Sequence, residues 1–295
     1  MSLLDELTAI TSRVVSAAGG AVVRIGRAEG RGAGIVVGPG SVVTSAHNLR
    51  GEEVTVTFPD GRAVTGTVKG VDSDGDLAVI AVDTGNVAPI GWSDTAPALG
   101  APVLALALPA GGSGVRVTVG TISSVERSFR GPRGRLITDG VEHTAPLGRG
   151  SSGGPLVDAD GRLLAINTHR PGEGLYLALP VTEARRGRID ALARGESPAR
   201  RRLGVALAPP HVARRLRAAV GLPARDGVLI RDVAESGPGA AAGLVRGDLI
   251  VAAAGQPVGS IDDLLGAVDG VGEDGTLSLR VVRGTDEVDI TVRFG

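Results

Sequence analysis

The sequence predicts a mainly β chain in two units: a larger one built as a β-sandwich or barrels, and a smaller one of mixed α and β structure. Three observations predict it. Between residues 21 and 179, short apolar and β-branched runs recur, punctuated by glycine, proline and aspartate turns. From 181 the periodicity turns helical and then gives way to the polar, basic stretch ESPARRR. Beyond 202, β-type runs alternate with helical stripes over a length that suits one small domain.

The elements follow in order. Ser2 and Asp5 stand in capping-box relation, and Leu3, Leu7, Ile10 and Val14 fall on one helical stripe. Strand-type runs then occupy 21–25, 33–37, 41–45, 53–58, 63–68, 77–82, 102–108, 115–125, 135–138, 155–157, 162–167 and 175–179. Pro59, Asp60 and Gly61 form a turn, because proline presets φ and glycine supplies a positive one. Strands this short and this close leave no room for βαβ crossovers. A helix over 181–195 closes the first unit. The second holds strands at 203–207, 227–232, 248–253, 276–282 and 286–293, with helices at 210–220 and 260–268. The expected boundaries are a helical segment at 1–17, the β unit at 18–192, a linker at 193–201 and the second unit at 202–295.

Composition narrows the chemistry. The chain has 295 residues, 42% of them hydrophobic and 21% charged, which is globular and long enough to bury a core without staples. There is no cysteine, so disulfides, thiolate zinc sites and a cysteine nucleophile are excluded. A net charge of −1 and 2% aromatics argue against nucleic acid as a partner. The N-terminal stretch carries Asp5 and Glu6 where a signal peptide has basic residues, and no run approaches a membrane span, so the chain as written reads as cytoplasmic. Lys69, the single lysine, lies in no G-K-[ST] loop, so no ATP site and no cofactor are expected. The acidic stretch DSDGD at 72–76 has Leu77 where a calcium loop needs glycine, and a strand follows it, so no metal is expected. A solvated turn is the simpler reading of Asp72 and Asp74.

One stretch raises a chemical question. GSSGGP at 150–155 places two serines among glycines just before an apolar run. Serine catalysis needs a base within reach, a group that orients the base, and donors for an oxyanion. His47 ends a β-type run, and Asp76 precedes another. The order His47, Asp76, serine is one of the known chain orders of such a triad. Gly150, Gly153 and Gly154 allow the backbone N–H groups to converge, so Gly150, Ser151 and Ser152 are the candidate oxyanion hole. Chemistry alone leaves the choice between Ser151 and Ser152 open. His143, His169 and His211 lack such partners and read as surface or packing residues.

These pieces together resemble the HtrA (Deg) family of serine proteases. GAGI at 32–35, VTSAH at 43–47, DLAV at 76–79, GSSGGP at 150–155 and GRLLAINT at 161–168 lie in register with that family's motifs. RLGV at 202–205, GPGAAAGLVRGDLI at 237–250, GQPV at 255–258 and SIDDLLGAV at 260–268 resemble a PDZ domain. The resemblance implies a chymotrypsin-like double β-barrel followed by a small α+β PDZ domain. It implies Ser152 as nucleophile, with His47 as base and Asp76 as its partner. It implies a substrate pocket at Leu147, Asn167, Thr168 and Arg170, and a peptide groove at Leu203, Gly204, Val205, Ile261 and Leu265. Arg127 matches an arginine that relays between PDZ domain and active site. The implied activity is ATP-independent cleavage of unfolded or misfolded proteins, with C-terminal peptides bound at the PDZ groove and a homotrimeric assembly, in a family that works mostly outside the cytoplasm. Pro146, Arg149 and Arg170 depart from the family pattern, and they motivate the alternative of a silent chaperone or adaptor.

Overall fold

Helix α1 (Leu3–Ala18) begins at Ser2, whose hydroxyl accepts from the Asp5 N–H while the Asp5 carboxylate accepts from the Ser2 N–H. Both are otherwise orphaned helix-start donors. Val14 and Ala18 bury their side chains completely, whereas Leu4 and Leu7 remain exposed. The computed structural model describes residues 2–26, 32–109, 114–131, 136–172, 174–197, 201–271 and 275–294. The side chain of Leu3 lies outside the described set. The chain divides into two units, Met1–Pro198 and Ala199–Gly295.

The first unit holds two closed six-stranded barrels. Barrel one comprises β1 (Val22–Ile25), β2 (Gly32–Gly38), β3 (Ser41–Thr44), β4 (Glu53–Thr57), β5 (Ala63–Asp72) and β6 (Leu77–Ala81), ordered β1-β2-β3-β6-β5-β4. Barrel two comprises β7 (Pro102–Ala107), β8 (Arg116–Arg130), β9 (Leu136–His143), β10 (Pro155–Val157), β11 (Leu163–Gly172) and β12 (Leu175–Pro180), ordered β10-β11-β12-β9-β8-β7. Closure removes the open edges that short strands otherwise present. Ile25, Ile35, Ile80, Leu106, Leu163 and Ile166 lie in one continuous buried cluster, so the barrels share a core.

Helix α2 (Glu183–Ala193) starts at the Thr182 cap and buries Ile189 and Leu192 in that cluster. Full burial of two such side chains contributes about 1.5–3 kcal/mol each. Gly70 permits the approach, since a Cβ there would meet the backbone of Leu192. Sequence periodicity understates four strands by four or more residues: β5 runs on to Asp72, β8 to Arg130, β9 to His143 and β11 to Gly172. Their extensions carry mostly exposed or polar residues, and cross-strand pairs such as Phe129 with Ile137 hold them extended.

The second unit is a sheet ordered β13 (Val205–Ala208), β14 (Val228–Val233), β15 (Leu249–Ala253), β17 (Thr276–Arg283) and β18 (Asp286–Arg293), with β16 (Gln256–Pro257) on β15. Helices α3 (Pro210–Ala219), α4 (Pro238–Ala241) and α5 (Ile261–Asp269) accompany it. Sequence patterning missed α4 and β16, both too short to show a period. Its core is its own, with Ile230, Ile250, Leu264, Val268, Leu279 and Val281 in one cluster. Asp248 is wholly buried and is satisfied by Arg283, whose Nε and Nη2 donate at 2.8 Å each, and by the Val245 N–H at 3.0 Å. Among the described residues no helix is long and apolar enough to cross a membrane.

Gly120 in β8 tests how tightly barrel two is packed. A Cβ there would fall on the backbone of Ala145, which cannot swing aside. Gly120→Ala is expected to cost about 1–3 kcal/mol in urea unfolding, whereas Gly20→Ala, with nothing within 4 Å of the new carbon, is expected to be nearly neutral.

Candidate active site

Barrel one supplies the imidazole and the carboxylate. β3 ends at Thr44, and the chain turns through a short 3₁₀ segment, Ala46–Asn48, that carries His47. Asp76 sits just before β6 with φ of 54°, in the left-handed region that aspartate tolerates better than most residues. Its backbone carbonyl accepts from the Ala46 N–H at 3.1 Å, and its Oδ1 accepts from the His47 N–H at 3.1 Å. The His47 Nδ1 lies 2.9 Å from both carboxylate oxygens. A carboxylate accepts only, so Nδ1 carries the proton and Nε2 is left as the basic nitrogen. Asp76 is buried, while the His47 side chain is 28% exposed.

Barrel two supplies the serine. The turn from Gly150 to Gly154 leads into β10 and is locked at several backbone points. Gly153 donates to the Asn167 carbonyl at 2.6 Å, Gly154 to the Ser151 carbonyl at 3.0 Å, and Asn167 to the Gly154 carbonyl at 2.9 Å. Gly153 has φ of 87°, and a Cβ there would fall on the Ala33 carbonyl of barrel one, so glycine is required twice over. The Ser152 carbonyl accepts from the Ala33 N–H at 2.8 Å and from the Asn48 Nδ2 at 2.9 Å. Among the described residues no backbone acceptor is set against the N–H of Gly150 or Ser152. The Ser152 hydroxyl donates to the Thr168 carbonyl at 2.7 Å, so its proton faces β11 and not His47.

Two residues expected on the substrate pocket act elsewhere. Asn167 is fully buried, and both ends of its amide are engaged inside barrel two: Oδ1 with His143 Nε2 at 2.9 Å, Nδ2 with the Pro155 carbonyl at 3.1 Å. Its side chain is therefore not a pocket wall. Thr168 donates its hydroxyl to Asp76 Oδ2 at 2.5 Å, making it the second side chain on that carboxylate. Its sequence neighbours give no hint of this, because the contact joins residues 92 apart. Leu147 is half-buried against the core of barrel two. The side chain of Arg170 lies outside the described residues, as does that of His169.

His143 is wholly buried and stacks on Tyr176, with ring centroids 5.7 Å apart. Since the Asn167 Nδ2 donates to Pro155, its Oδ1 must accept, so the His143 proton is on Nε2. Among the described residues the opposite nitrogen, Nδ1, is buried with no partner. Burial pushes this imidazole down to about 4, against the upward pull of the Asn167 hydrogen bond and the Glu142 charge. Glu142 itself is held by Ser123 Oγ at 2.9 Å and by Arg127 Nε at 3.6 Å, at an irregular stretch of β8 where Glu126 has φ of 55°. Asp72, expected in a solvated turn, accepts from the Gly75 N–H and pairs with Arg188 at 3.5 Å.

In the second unit β13 is an edge strand, paired with β14 on one side only. Gly204, with φ of 73°, turns the chain into it. Val205, Ile261 and Leu265 are half-buried, whereas the Leu203 side chain is buried in the core. Leu264 and Val268 hold the inner face of α5.

A double β-barrel with histidine, aspartate and serine at the seam between barrels, followed by a PDZ domain, defines a trypsin-like serine protease. Residues 32–166 match the trypsin-like peptidase domain family, and residues 202–294 match the PDZ domain family. The chain is 32% identical to the serine protease HhoA of Synechocystis, covering 90% of this chain and 71% of HhoA. It is 32% identical to a DegP-like periplasmic serine endoprotease of Halomonas elongata, covering 90% of this chain but 56% of that protein, so it spans little more than half the length of that relative. Solved structures that match include the HtrA-type protease AlgW with a decapeptide (TM-score 0.74, 25% identity, 96% of this chain and 98% of that one) and the serine endoprotease from Yersinia pestis (0.71, 26%, 96% of each). The chain belongs to the HtrA (Deg) family of serine proteases.

His143 makes the fold acid-sensitive in a defined direction. Its folded-state value lies below the ordinary imidazole value of 6.5, so the folded chain binds fewer protons there than the unfolded chain. The stabilisation is complete above pH 6.5 and is lost as pH falls toward 4, by on the order of 3 kcal/mol. Urea unfolding at pH 7, 5.5 and 4 is expected to show this loss in the parent and a shallower slope in His143→Gln.

Proposed function

We propose that the chain is a serine endopeptidase that cleaves unfolded or misfolded proteins without ATP, and that its PDZ domain takes C-terminal peptides. The observation that carries this reading is the doubly bound Asp76 carboxylate. It orients the His47 ring through Nδ1 and also receives Thr168, whose own carbonyl holds the Ser152 hydroxyl. Two barrels thus bring base and nucleophile to one seam.

The chemistry follows from the atoms. The Ser152 hydroxyl leaves the Thr168 carbonyl and turns to His47 Nε2, which takes its proton as Ser152 Oγ attacks the substrate carbonyl. The negative charge on the former carbonyl oxygen is received by the N–H groups of Gly150 and Ser152. Asp76 stabilises the imidazolium, which gives its proton to the departing amine. Water then repeats the cycle on the acyl-enzyme, with His47 again as base. Leu147 favours a small or medium apolar side chain before the cleaved bond.

Supporting the peptide role, β13 has an unpaired edge, and α5 faces outward with Ile261 and Leu265. An extended chain end pairing there adds a strand and points its side chains at α5. The relative AlgW was solved with a peptide. Arg127, ion-paired to Glu142 on β9, is the residue through which peptide binding would reach the protease unit.

Labelling with a fluorophosphonate at neutral pH tests the nucleophile. The parent and Ser151→Ala are expected to label, and Ser152→Ala is not. Turnover of an unfolded substrate is expected to fall by about 10⁴-fold in Ser152→Ala, His47→Ala and Asp76→Asn. A parent that stays unlabelled, even with substrate and C-terminal peptide present, favours the chaperone or adaptor role instead. For the groove, titration calorimetry with an apolar peptide is expected to show binding that weakens about 10–100-fold when its C-terminus is amidated.

A further inference from the structure

We propose that Asn48 is a positioning residue, a fixed ruler that sets the nucleophile turn of barrel two against the His47 turn of barrel one. The inference rests on the reading of Ser152 as nucleophile. Asn48 directly follows His47 on the 3₁₀ segment and is buried. Its Nδ2 donates to the Ser152 carbonyl at 2.9 Å and to Thr44 Oγ1 at 3.0 Å. The orientation of the amide is determined by its partners. The Thr44 hydroxyl donates its only proton to the Ala33 carbonyl at 2.7 Å, so toward Asn48 it must accept. The Ser152 carbonyl also only accepts. Both Nδ2 hydrogens are therefore used, and a flipped amide would set oxygen against oxygen twice.

The same strap reaches the serine a second way, since the Ala33 N–H donates to the Ser152 carbonyl. Ala33 on β2 and Asn48 on the His47 turn thus grip one peptide group of the opposite barrel, and Thr44 on β3 braces both of them. Proton transfer from Ser152 to His47 depends on the separation of two elements that no covalent path of fewer than a hundred residues joins, and small misplacements of reacting groups are costly. A side chain one residue from the base that bonds the nucleophile's own carbonyl is the shortest non-covalent ruler between them. Its chemistry is also wasteful for packing alone. Among the described residues Asn48 Oδ1 is buried with no partner, a cost that an apolar residue would not carry. Gly32 is shaped to accept this side chain, because a Cβ there would fall on the Asn48 amide.

The test uses the full chain and two variants. Asn48→Ala removes the donor without adding bulk, and Asn48→Asp keeps the shape but sets an acceptor against the Ser152 carbonyl. The second serves should the first fail to fold. Fluorophosphonate labelling rates, measured well below each variant's unfolding temperature, are expected to fall about 10–100-fold, with kcat falling alike and KM within about twofold. A merely structural role lowers the unfolding temperature but leaves the labelling rate of folded molecules unchanged, and that result overturns the ruler. A parent that does not label, or labels equally as Ser152→Ala, overturns the nucleophile assignment and the ruler with it. A parent that labels beside variants that label as fast overturns the ruler alone.

Discussion

The arrangement turns on one buried carboxylate at the junction of two barrels. Asp76 is removed from water, and such a group is tolerable only when donors surround it. The His47 ring, the His47 N–H and the Thr168 hydroxyl are those donors. Two come from barrel one and the third from barrel two. Satisfying the charge therefore does two things at once: it selects the imidazole tautomer with a free Nε2, and it draws β11 of the second barrel up to the first. The left-handed backbone of Asp76 is the local cost, held in place by the Ala46 N–H on its carbonyl.

Around that junction, packing perfection gives way to polar precision. The barrel interiors are filled by Ile, Leu and Val with negligible exposure. Among the described residues, Ser45 Oγ and Asn48 Oδ1 near the seam and His143 Nδ1 inside barrel two are buried without partners. Each such group costs about 1–3 kcal/mol. The shared core of the two barrels supplies the margin, and the second unit, with a separate core, need not contribute. The resting Ser152 hydroxyl belongs to the same picture. It is bonded to the Thr168 carbonyl, on the very residue whose side chain anchors Asp76, so a single strand position meets both the Ser152 hydroxyl and the Asp76 carboxylate.

The second unit solves a different problem with the same elements. Its sheet leaves β13 at an edge, which is a hazard for a soluble domain and an opportunity for a peptide binder. The strand is short, four residues, and α5 commits Leu264 and Val268 to the core. Ile261 and Leu265 on the same helix are only half-buried.

Much of this was legible in the residues. Short β-branched runs and their turns pointed to one all-β unit, sandwich or barrels, and a mixed domain, since strand burial imposes alternation and turns require glycine, proline and aspartate; the double barrel came from the family resemblance. Chain order and local chemistry singled out His47, Asp76 and the glycine-framed serine, because an oxyanion turn demands residues without a Cβ at fixed places. What the sequence did not determine depends on distance in space. Thr168 and Asn167 read as pocket residues, His143 as a surface or packing residue, and Asn48 as an unremarked neighbour of the base. Only barrel closure brought Thr168 to Asp76, sealed His143 against Asn167, and laid Asn48 on the Ser152 carbonyl. Hydrogen bonds between strands far apart in the chain leave no period and no spacing in the sequence, and it is the folded barrels that decide which polar atoms meet.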